Sequence, residues 1–211
     1  MTSVLSRDDL AVFTIPSLEA RLDAIRDQVA PALAELGRAL IDELAVRTGE
    51  ELHAHAAVHA KHKKNPPDET WIALGPTPRQ YKKEPYFAIG VSRNAVHVRV
   101  QINEECPRKI ELGEVIVERS TELARHAQHL GALRNFEEWD YEGLPDPAPA
   151  AERLFWSKLG NRLVGKKNAR FDIGVGWKGA EALRLGKQRV AEAIVRLMPL
   201  YHFLAFDRWR F

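Results

Sequence analysis

The sequence has little of what would mark a disulfide-rich, secreted or membrane-spanning protein. Its 211 residues include one cysteine, Cys106, which excludes an internal disulfide and any zinc site built on several thiolates. No run approaches the roughly 18 apolar residues that span a bilayer. Met1–Arg7 lacks the basic and then apolar order of a signal peptide. We therefore expect a cytoplasmic protein without membrane contact.

An excess of one charge is also missing. The chain has 31 Lys and Arg against 29 Asp and Glu, and this formal charge of +2 is too small to indicate nucleic-acid binding by itself. Hydrophobic residues make up 45% and charged residues 28%, which is typical of a globular protein with its own core. An electrostatic argument therefore depends on where the charges lie along the chain.

The clearest structural pattern is a β-hairpin formed by Tyr86–Val91 and Ala95–Ile102. The second run alternates apolar residues with His97, Arg99 and Gln101, the period-two pattern of a half-buried strand. The apolar and polar side chains of such a strand lie on opposite faces of the sheet. The polar face is either the floor of a pocket or a surface in contact with water.

Helical periodicity dominates the chain on both sides of the hairpin. Apolar residues three and four apart predict a long helix from Ser17 to about Gly49, with a kink or break at Pro31. We also predict helices at Glu51–His62, Pro107–Leu130, Leu154–Val164 and Ala180–Tyr201, and strands at Trp71–Leu74, Phe136–Tyr141 and Arg170–Val175. We expect the C-terminal aromatic residues, from Phe203 to Phe211, to pack against the body of the protein.

These elements predict an α+β fold with helices packed on an antiparallel or mixed sheet. We expect a single domain over residues 1–211. The acidic, proline-rich stretch near Asp146 is the one candidate boundary, and it would give two lobes that meet near residue 145.

Short segments spread over most of the chain resemble one bacterial family. They are Leu10–Ile15, His55–Lys61, Asn65–Asp68, Trp71–Ala73, Arg79–Lys83, Phe87–Gly90 and Leu197–Tyr201. In this pattern the chain resembles the YktB-like bacterial proteins of unknown function. The resemblance implies a compact α+β fold and assigns no activity.

Basic residues are concentrated in two stretches. Between Lys61 and Lys83, the aromatic residues Trp71 and Tyr81 are interleaved with cations, a mixture that can hold phosphate and stack on a base. The second stretch, Arg153–Arg170, contains no acidic residue. If the two stretches meet in space, they form one anion-binding patch. Otherwise they are solvated surfaces whose charges maintain solubility.

The first functional hypothesis is a binding module for a phosphorylated ligand, either a small molecule such as a nucleotide or a nucleic acid such as RNA. The predicted ligand-binding residues are His55, His59, Lys61, Asn65, Trp71, Arg79, Tyr81, Lys82, Lys83, His97 and Arg99. No cofactor is predicted, and no residue pattern assigns a catalysed reaction.

Histidine spacing gives a second hypothesis, a metal-dependent hydrolase. On the predicted second helix Glu51, His55, His59 and His62 would share one stripe, and Glu122, His126 and His129 have the same kind of spacing on a later helix. Imidazoles from two adjacent helices can hold zinc, manganese or iron. Against this, the spacing is common by chance and the nearby lysines oppose a cation. A third hypothesis is a structural or regulatory protein that binds another chain through an apolar surface.

Three glycines, Gly174, Gly176 and Gly179, spell the pattern of a dinucleotide-binding loop. A Rossmann unit places an acidic residue about 20 residues further on, at the end of another strand. Here Arg196 occupies that place, inside a predicted helix. We therefore interpret the glycines as a tight turn between a strand and a helix.

Overall fold

The fold is taken from a computed structural model that describes residues 3–59 and 65–206. Its α-helices are α1 (Arg7–Ala11), α2 (Leu18–Ala24), α3 (Ala30–Thr48), α4 (Lys109–Glu118), α5 (Ser120–Ala127), α6 (Arg153–Gly165) and α7 (Lys187–Phe206). Its strands are β1 (His53–Ala56), β2 (Glu69–Gly75), β3 (Tyr86–Ser92), β4 (Ala95–Ile102), β5 (Arg134–Asn135) and β6 (Phe171–Lys178).

The six strands form one antiparallel sheet in the order β1-β2-β3-β4-β6-β5. The predicted hairpin is its centre, with Val91 opposite Val96 and Tyr86 opposite Gln101. The α+β fold with an antiparallel sheet is therefore confirmed. Because β6 pairs with β4 and with β5, strands from both sides of residue 145 belong to the same sheet.

One face of the sheet carries the apolar side chains of the central strands and is covered by helices. Ile89 and Val98 are fully buried there, and α3 and α7 pack against this face. The Phe87 ring lies 4.8 Å from the Tyr201 ring of α7. Phe203 is also buried. The rest of the predicted packing of the C-terminal aromatics involves the Phe206 side chain and residues 207–211, outside the described part.

The long N-terminal helix changes its hydrogen-bonding pattern just before Pro31, the residue at which the sequence predicted a kink or break. Ser17 caps α2 through its side chain, and a turn of π-helix from Ile25 to Val29 leads into α3. Pro31 lies in the first turn of α3, where a missing backbone N–H costs little. Gly49 ends α3 in the left-handed conformation that glycine adopts most easily.

The predicted helix at Glu51–His62 is wrong. His53–Ala56 is a strand that pairs with β2, and residues 57–59 follow it without helical structure. A short helix gains little in water without packing, whereas β1 gains backbone hydrogen bonds at the sheet edge. Residues 60–62 of that prediction lie outside the described part of the chain.

Two further segments differ from the prediction. The predicted strand at Phe136–Tyr141 is wrong, because only Arg134–Asn135 pairs with β6 and the chain then turns across the sheet. Gly174 and Gly176 lie inside β6, so they do not form the predicted turn into a helix. Gly179, with φ of 55°, is the glycine at the turn that follows.

None of the helices in the described ranges has the length and apolar run that crossing a bilayer requires.

Candidate functional site

The sheet face opposite the helices carries a buried cluster of polar and charged side chains. Strand alternation places His97, Arg99 and Gln101 of β4 on this face, as predicted. The same alternation brings Glu69 from β2 and Asp172 from β6 to them. We call these five residues the polar cluster. Four of them are buried, and the side chain of Glu69 is 14% exposed.

Small residues on the neighbouring strands make room for the cluster. His97 lies between Gly90 and Gly176, and Arg99 lies opposite Gly174. A Cβ atom on Gly90 would overlap the His97 ring, and one on Gly174 would overlap Arg99 and the β4 backbone. These glycines allow the long side chains of β4 to lie flat along the sheet.

The guanidinium group of Arg99 joins the two carboxylates. Its Nη2 donates to Glu69 Oε2 at 2.9 Å, and its Nη1 donates to Asp172 Oδ2 at 3.2 Å. Asp172 Oδ2 also accepts from Gln101 Nε2 at 2.7 Å. His97 Nε2 lies 3.2 Å from Glu69 Oε2, which favours the tautomer with its proton on Nε2.

This environment shifts the pKa values of the cluster in different directions. Burial alone would raise the pKa of Glu69, but Arg99 and His97 outweigh it and lower the pKa to about 2. Burial raises the pKa of Asp172 to about 6, although Arg99 opposes the shift. Burial and the charge of Arg99 lower the pKa of His97 to about 4. At neutral pH the cluster therefore has two carboxylates, one guanidinium and a neutral imidazole.

An irregular segment, residues 136–144, covers the cluster, and we call it the roof. The Phe136 and Trp139 rings lie 5.4 Å and 5.2 Å from the His97 ring. Tyr141 donates from its hydroxyl to Glu69 Oε1 at 3.4 Å, and its backbone has φ of 64°. A positive φ is unfavourable for a bulky residue, and such strain is frequent at binding sites.

Some buried atoms of the cluster lack a hydrogen-bond partner within the described residues. They are both ring nitrogens of His97, Arg99 Nε and Asp172 Oδ1, although His97 Nε2 has a close contact with Glu69 Oε2 at 3.2 Å. A buried polar atom without a partner costs about 1–3 kcal/mol. A buried ionic group is often less stable than an apolar replacement of the same shape. The cluster therefore lowers the stability of the folded state, and such a loss of stability is typical of a functional site.

A groove lies at the other end of the same face, beside β1. It has a volume of about 500 Å³ and is lined by His55, Ala56, Val58, Gln80, Tyr81, Lys82, Lys83 and Glu105. The His55 and Tyr81 rings stack at 5.0 Å, and His55 Nε2 donates to the Thr77 carbonyl at 2.9 Å. Burial raises the pKa of Tyr81, so its phenol stays neutral. Gln80 has φ of 56°, a second strained residue on this side of the sheet.

The comparison with protein families covers almost the whole fold. Residues 5–201 match the family described as domain of unknown function DUF1054. The chain belongs to the DUF1054 family. This agrees with the YktB-like resemblance of the sequence.

Relatives of this DUF1054 protein are similar over nearly their full length. The UPF0637 protein of Exiguobacterium sibiricum is 27% identical over 205 residues, covering 95% of this chain and 98% of the relative. The UPF0637 protein of Oceanobacillus iheyensis is 32% identical over 200 residues, covering 94% and 95%. A UPF0637 protein of Bacillus cereus is 36% identical over 200 residues, covering 92% and 93%.

The predicted ligand-binding residues of the DUF1054 chain divide between several places. His55, Tyr81, Lys82 and Lys83 meet in the groove, whereas His97 and Arg99 lie in the polar cluster. Trp71 lies on the same face of β2 as Glu69. His59 contacts the Trp71 ring edge-on at 5.7 Å and Thr70 Oγ1 at 2.9 Å. Asn65 and Arg79 are exposed, and Lys61 lies outside the described residues.

The two basic stretches of the DUF1054 chain do not meet around one cavity in the described residues. Arg162 and Lys158 line a separate cavity of about 230 Å³ next to α6, which shares no lining residue with the groove. Arg162 Nε donates to Glu137 Oε2 at 2.9 Å, which compensates much of its charge. The single anion-binding patch that would form if the two stretches met is therefore not seen in these residues.

The histidine stripe predicted on the second helix is not formed in the described residues, although Glu122 and His126 do share the helix α5. His55 belongs to β1 and His59 follows that strand, whereas His126 lies in α5 and His129 just beyond it. Across residues 3–59 and 65–206, no three His, Cys, Asp or Glu side chains are grouped to hold a metal. The geometric basis of the metal-dependent hydrolase is therefore wrong.

Sequence reasoning missed Glu69, Asp172 and the roof of the DUF1054 fold. Asp172 alternates with Phe171 and Ile173 in a predicted strand, so period two already assigned it to the polar face. Glu69 stands two residues before Trp71, so the same alternation places both residues on one face of their strand. The roof could not be predicted in this way, because its aromatic residues do not follow the period of a strand or helix.

Proposed function

We propose that this protein is a binding module for a phosphorylated ligand, such as a nucleotide or the end of an RNA strand, held in the groove beside β1. The observation that supports this is the stacked pair of His55 and Tyr81 next to Lys82 and Lys83 in one cavity of about 500 Å³. Ammonium groups hold phosphate oxygens, and the ring faces offer a surface on which a base stacks.

The lysines of the groove are available to an anion. Lys82 Nζ lies 3.2 Å from Glu105 Oε1, and the two side chains are 37% and 58% exposed. An exposed ion pair contributes little to stability, so a phosphate can replace the carboxylate at small cost. Lys83 is exposed.

Arg99 is not the phosphate anchor in this proposal. Both of its terminal nitrogens are held by carboxylates, and the roof covers it. A phosphate there would be repelled by Glu69 and Asp172, since the polar cluster has a net negative charge. The groove is thus the part of the predicted site that suits a phosphorylated ligand.

The experiment is an equilibrium titration of AMP, inorganic phosphate and a short single-stranded RNA at low and high salt. We expect binding that weakens as salt rises, because phosphate contacts release counterions. The double variant Lys82→Gln, Lys83→Gln should bind about 10-fold or more weakly, since it loses charge-assisted hydrogen bonds. Tyr81→Leu should weaken AMP more than inorganic phosphate, because only AMP carries a base.

The matched control is Lys178→Gln, which removes an exposed positive charge from the end of β6. Its affinity for all three probes should equal that of the wild type. Equal affinity of the double lysine variant and the wild type would contradict the proposal. Binding that does not respond to salt would also contradict it.

A further inference from the structure

We propose that the polar cluster beneath the roof is a second ligand site, for a small planar organic cation whose N–H groups donate to Asp172. The roof, residues 136–144, closes this site in the structure. The proposal does not depend on the phosphate groove, because the two sites share no residue.

The net charge of the cluster favours a cationic ligand. Glu69 and Asp172 contribute two negative charges and Arg99 contributes one positive charge. His97 is neutral, since burial and Arg99 lower its pKa to about 4. A net negative charge under an aromatic cover is costly by itself, and a cationic ligand compensates it.

The unpartnered acceptor atoms of the cluster favour a ligand that carries N–H donors. Asp172 is 2% exposed, and its Oδ1 is an acceptor without a partner in the described part of the chain. His97 Nδ1 is a second such acceptor when the imidazole proton lies on Nε2, towards Glu69. A further unpartnered atom, Arg99 Nε, belongs to a guanidinium whose Cζ lies 5.4 Å from the Phe136 ring centre, where the π-face is a weak acceptor.

The aromatic residues of the roof select a flat ligand. Trp139 and Tyr141 lie with their ring centres 4.5 Å apart, and Trp139 packs edge-on against Phe136 at 5.3 Å. Aromatic faces attract organic cations through the ring quadrupole. On the sheet side, Gly176 faces Leu144 of the roof, and a Cβ atom on this glycine would come 2.5 Å from the Leu144 side chain. Because glycine has no side chain, the sheet surface under the roof is flat at this position.

The roof is built to open in its middle. Backbone hydrogen bonds fix the chain at the start of the roof, from Phe136 N to the Asp172 carbonyl at 2.8 Å, and four residues beyond its end, from Ala148 N to the Leu133 carbonyl at 2.7 Å. Between these ends, the hydrogen bond from Tyr141 to Glu69 is long, at 3.4 Å. The strained backbone of Tyr141 further reduces the cost of moving it away from the cluster.

The test compares three probes of one shape and different charge: benzamidine, benzamide and benzoate. We follow them by tryptophan fluorescence and by NMR of the histidine rings, since Trp139 and His97 both lie at the site. Benzamidine should bind in the millimolar range expected for so small a ligand, benzamide more weakly, and benzoate not at all. Benzoate binding equal to that of benzamidine would overturn the proposal, as would no saturable binding of benzamidine.

Substitutions test whether benzamidine binds at the polar cluster. Asp172→Asn keeps the shape of the side chain and removes its charge, so benzamidine affinity should fall about 10-fold or more. The matched control, Asp146→Asn, removes an exposed charge just beyond the roof and should leave the affinity unchanged. Equal losses in the two variants would overturn the proposal, because they would indicate general attraction to an acidic surface.

A third variant keeps the test informative if Asp172→Asn does not fold. Tyr141→Phe removes only the hydroxyl group that holds the roof to Glu69. Because the closed state competes with the ligand, this change should tighten benzamidine binding several-fold. Weaker binding by Tyr141→Phe would contradict a site that opens through the roof.

Discussion

Gly90 has no room for a side chain, because the His97 ring of the polar cluster lies against it. In most strands Gly→Ala stabilises the fold, because alanine loses less backbone entropy than glycine. Here the added methyl group would overlap the His97 ring, which is packed under Phe136 and Trp139. We predict that Gly90→Ala lowers the free energy of unfolding by about 1–3 kcal/mol, as overpacking does. Denaturant unfolding measures this.

Gly143→Ala is the control for that prediction, since a Cβ there has open space in the described structure. Its free energy of unfolding should lie within about 0.5 kcal/mol of the wild-type value. An unchanged stability of Gly90→Ala would mean that the His97 ring does not lie across this glycine.

Asp172 and His97 give the cluster two opposing pH dependences. Burial raises the pKa of Asp172 from 3.8 to about 6, so between these values the folded state binds more protons and this group favours lower pH. Burial lowers the pKa of His97 from 6.5 to about 4, so the unfolded state binds more protons and this group favours higher pH. The two slopes oppose each other between about pH 4 and 6.

Asp172→Asn removes one of these slopes. Its stability should therefore decrease more steeply than that of the wild type as the pH falls from 6 to 4, by up to about 1.4 kcal/mol per pH unit. Denaturant unfolding at several pH values measures the difference. Asp140→Asn should keep the wild-type slope, and an identical slope for Asp172→Asn would contradict the raised pKa.

At the scale of elements, alternation predicted the hairpin of β3 and β4 and the polar face of β4. It did not predict that both faces of the hairpin are buried, because the cover over the polar face comes from a segment about forty residues further along the chain. Alternation failed for β1, where histidines four apart also fit a helix. Only the pairing of His55 with Ala73 across the sheet decides between the two, and pairing is a tertiary contact.

Arg21 connects two elements that are far apart in sequence, α2 and the entry to β2. It is 7% exposed, and its Nε donates to the Ile15 carbonyl at 2.7 Å while Nη1 donates to the Pro67 carbonyl at 2.9 Å. Lysine has one nitrogen and cannot reproduce this fork. We predict that Arg21→Lys lowers the free energy of unfolding by about 1–2 kcal/mol, because a half-buried carbonyl loses its donor.

Arg26→Lys is the matched control, since Arg26 pairs with Asp23 and Asp27 on the surface of the π-helical turn. Its effect should be below about 0.5 kcal/mol, as for other exposed ion pairs. Thermal or denaturant unfolding of the two variants compares them directly. Equal effects would show that Arg21 contributes only its charge.

At the scale of the whole molecule, the topology argues against two separately stable lobes. β6, from the second half of the sequence, lies between β4 and β5, and α7 packs against α3. A chain ending at Pro145 would expose the edge of β4 with its buried valines, and it would lose the helix that covers β3 and β4. We predict that this fragment does not fold and that the full chain unfolds in one cooperative transition. Calorimetry with equal calorimetric and van't Hoff enthalpies would support this, whereas two resolved transitions, or a folded fragment of residues 1–145, would contradict it.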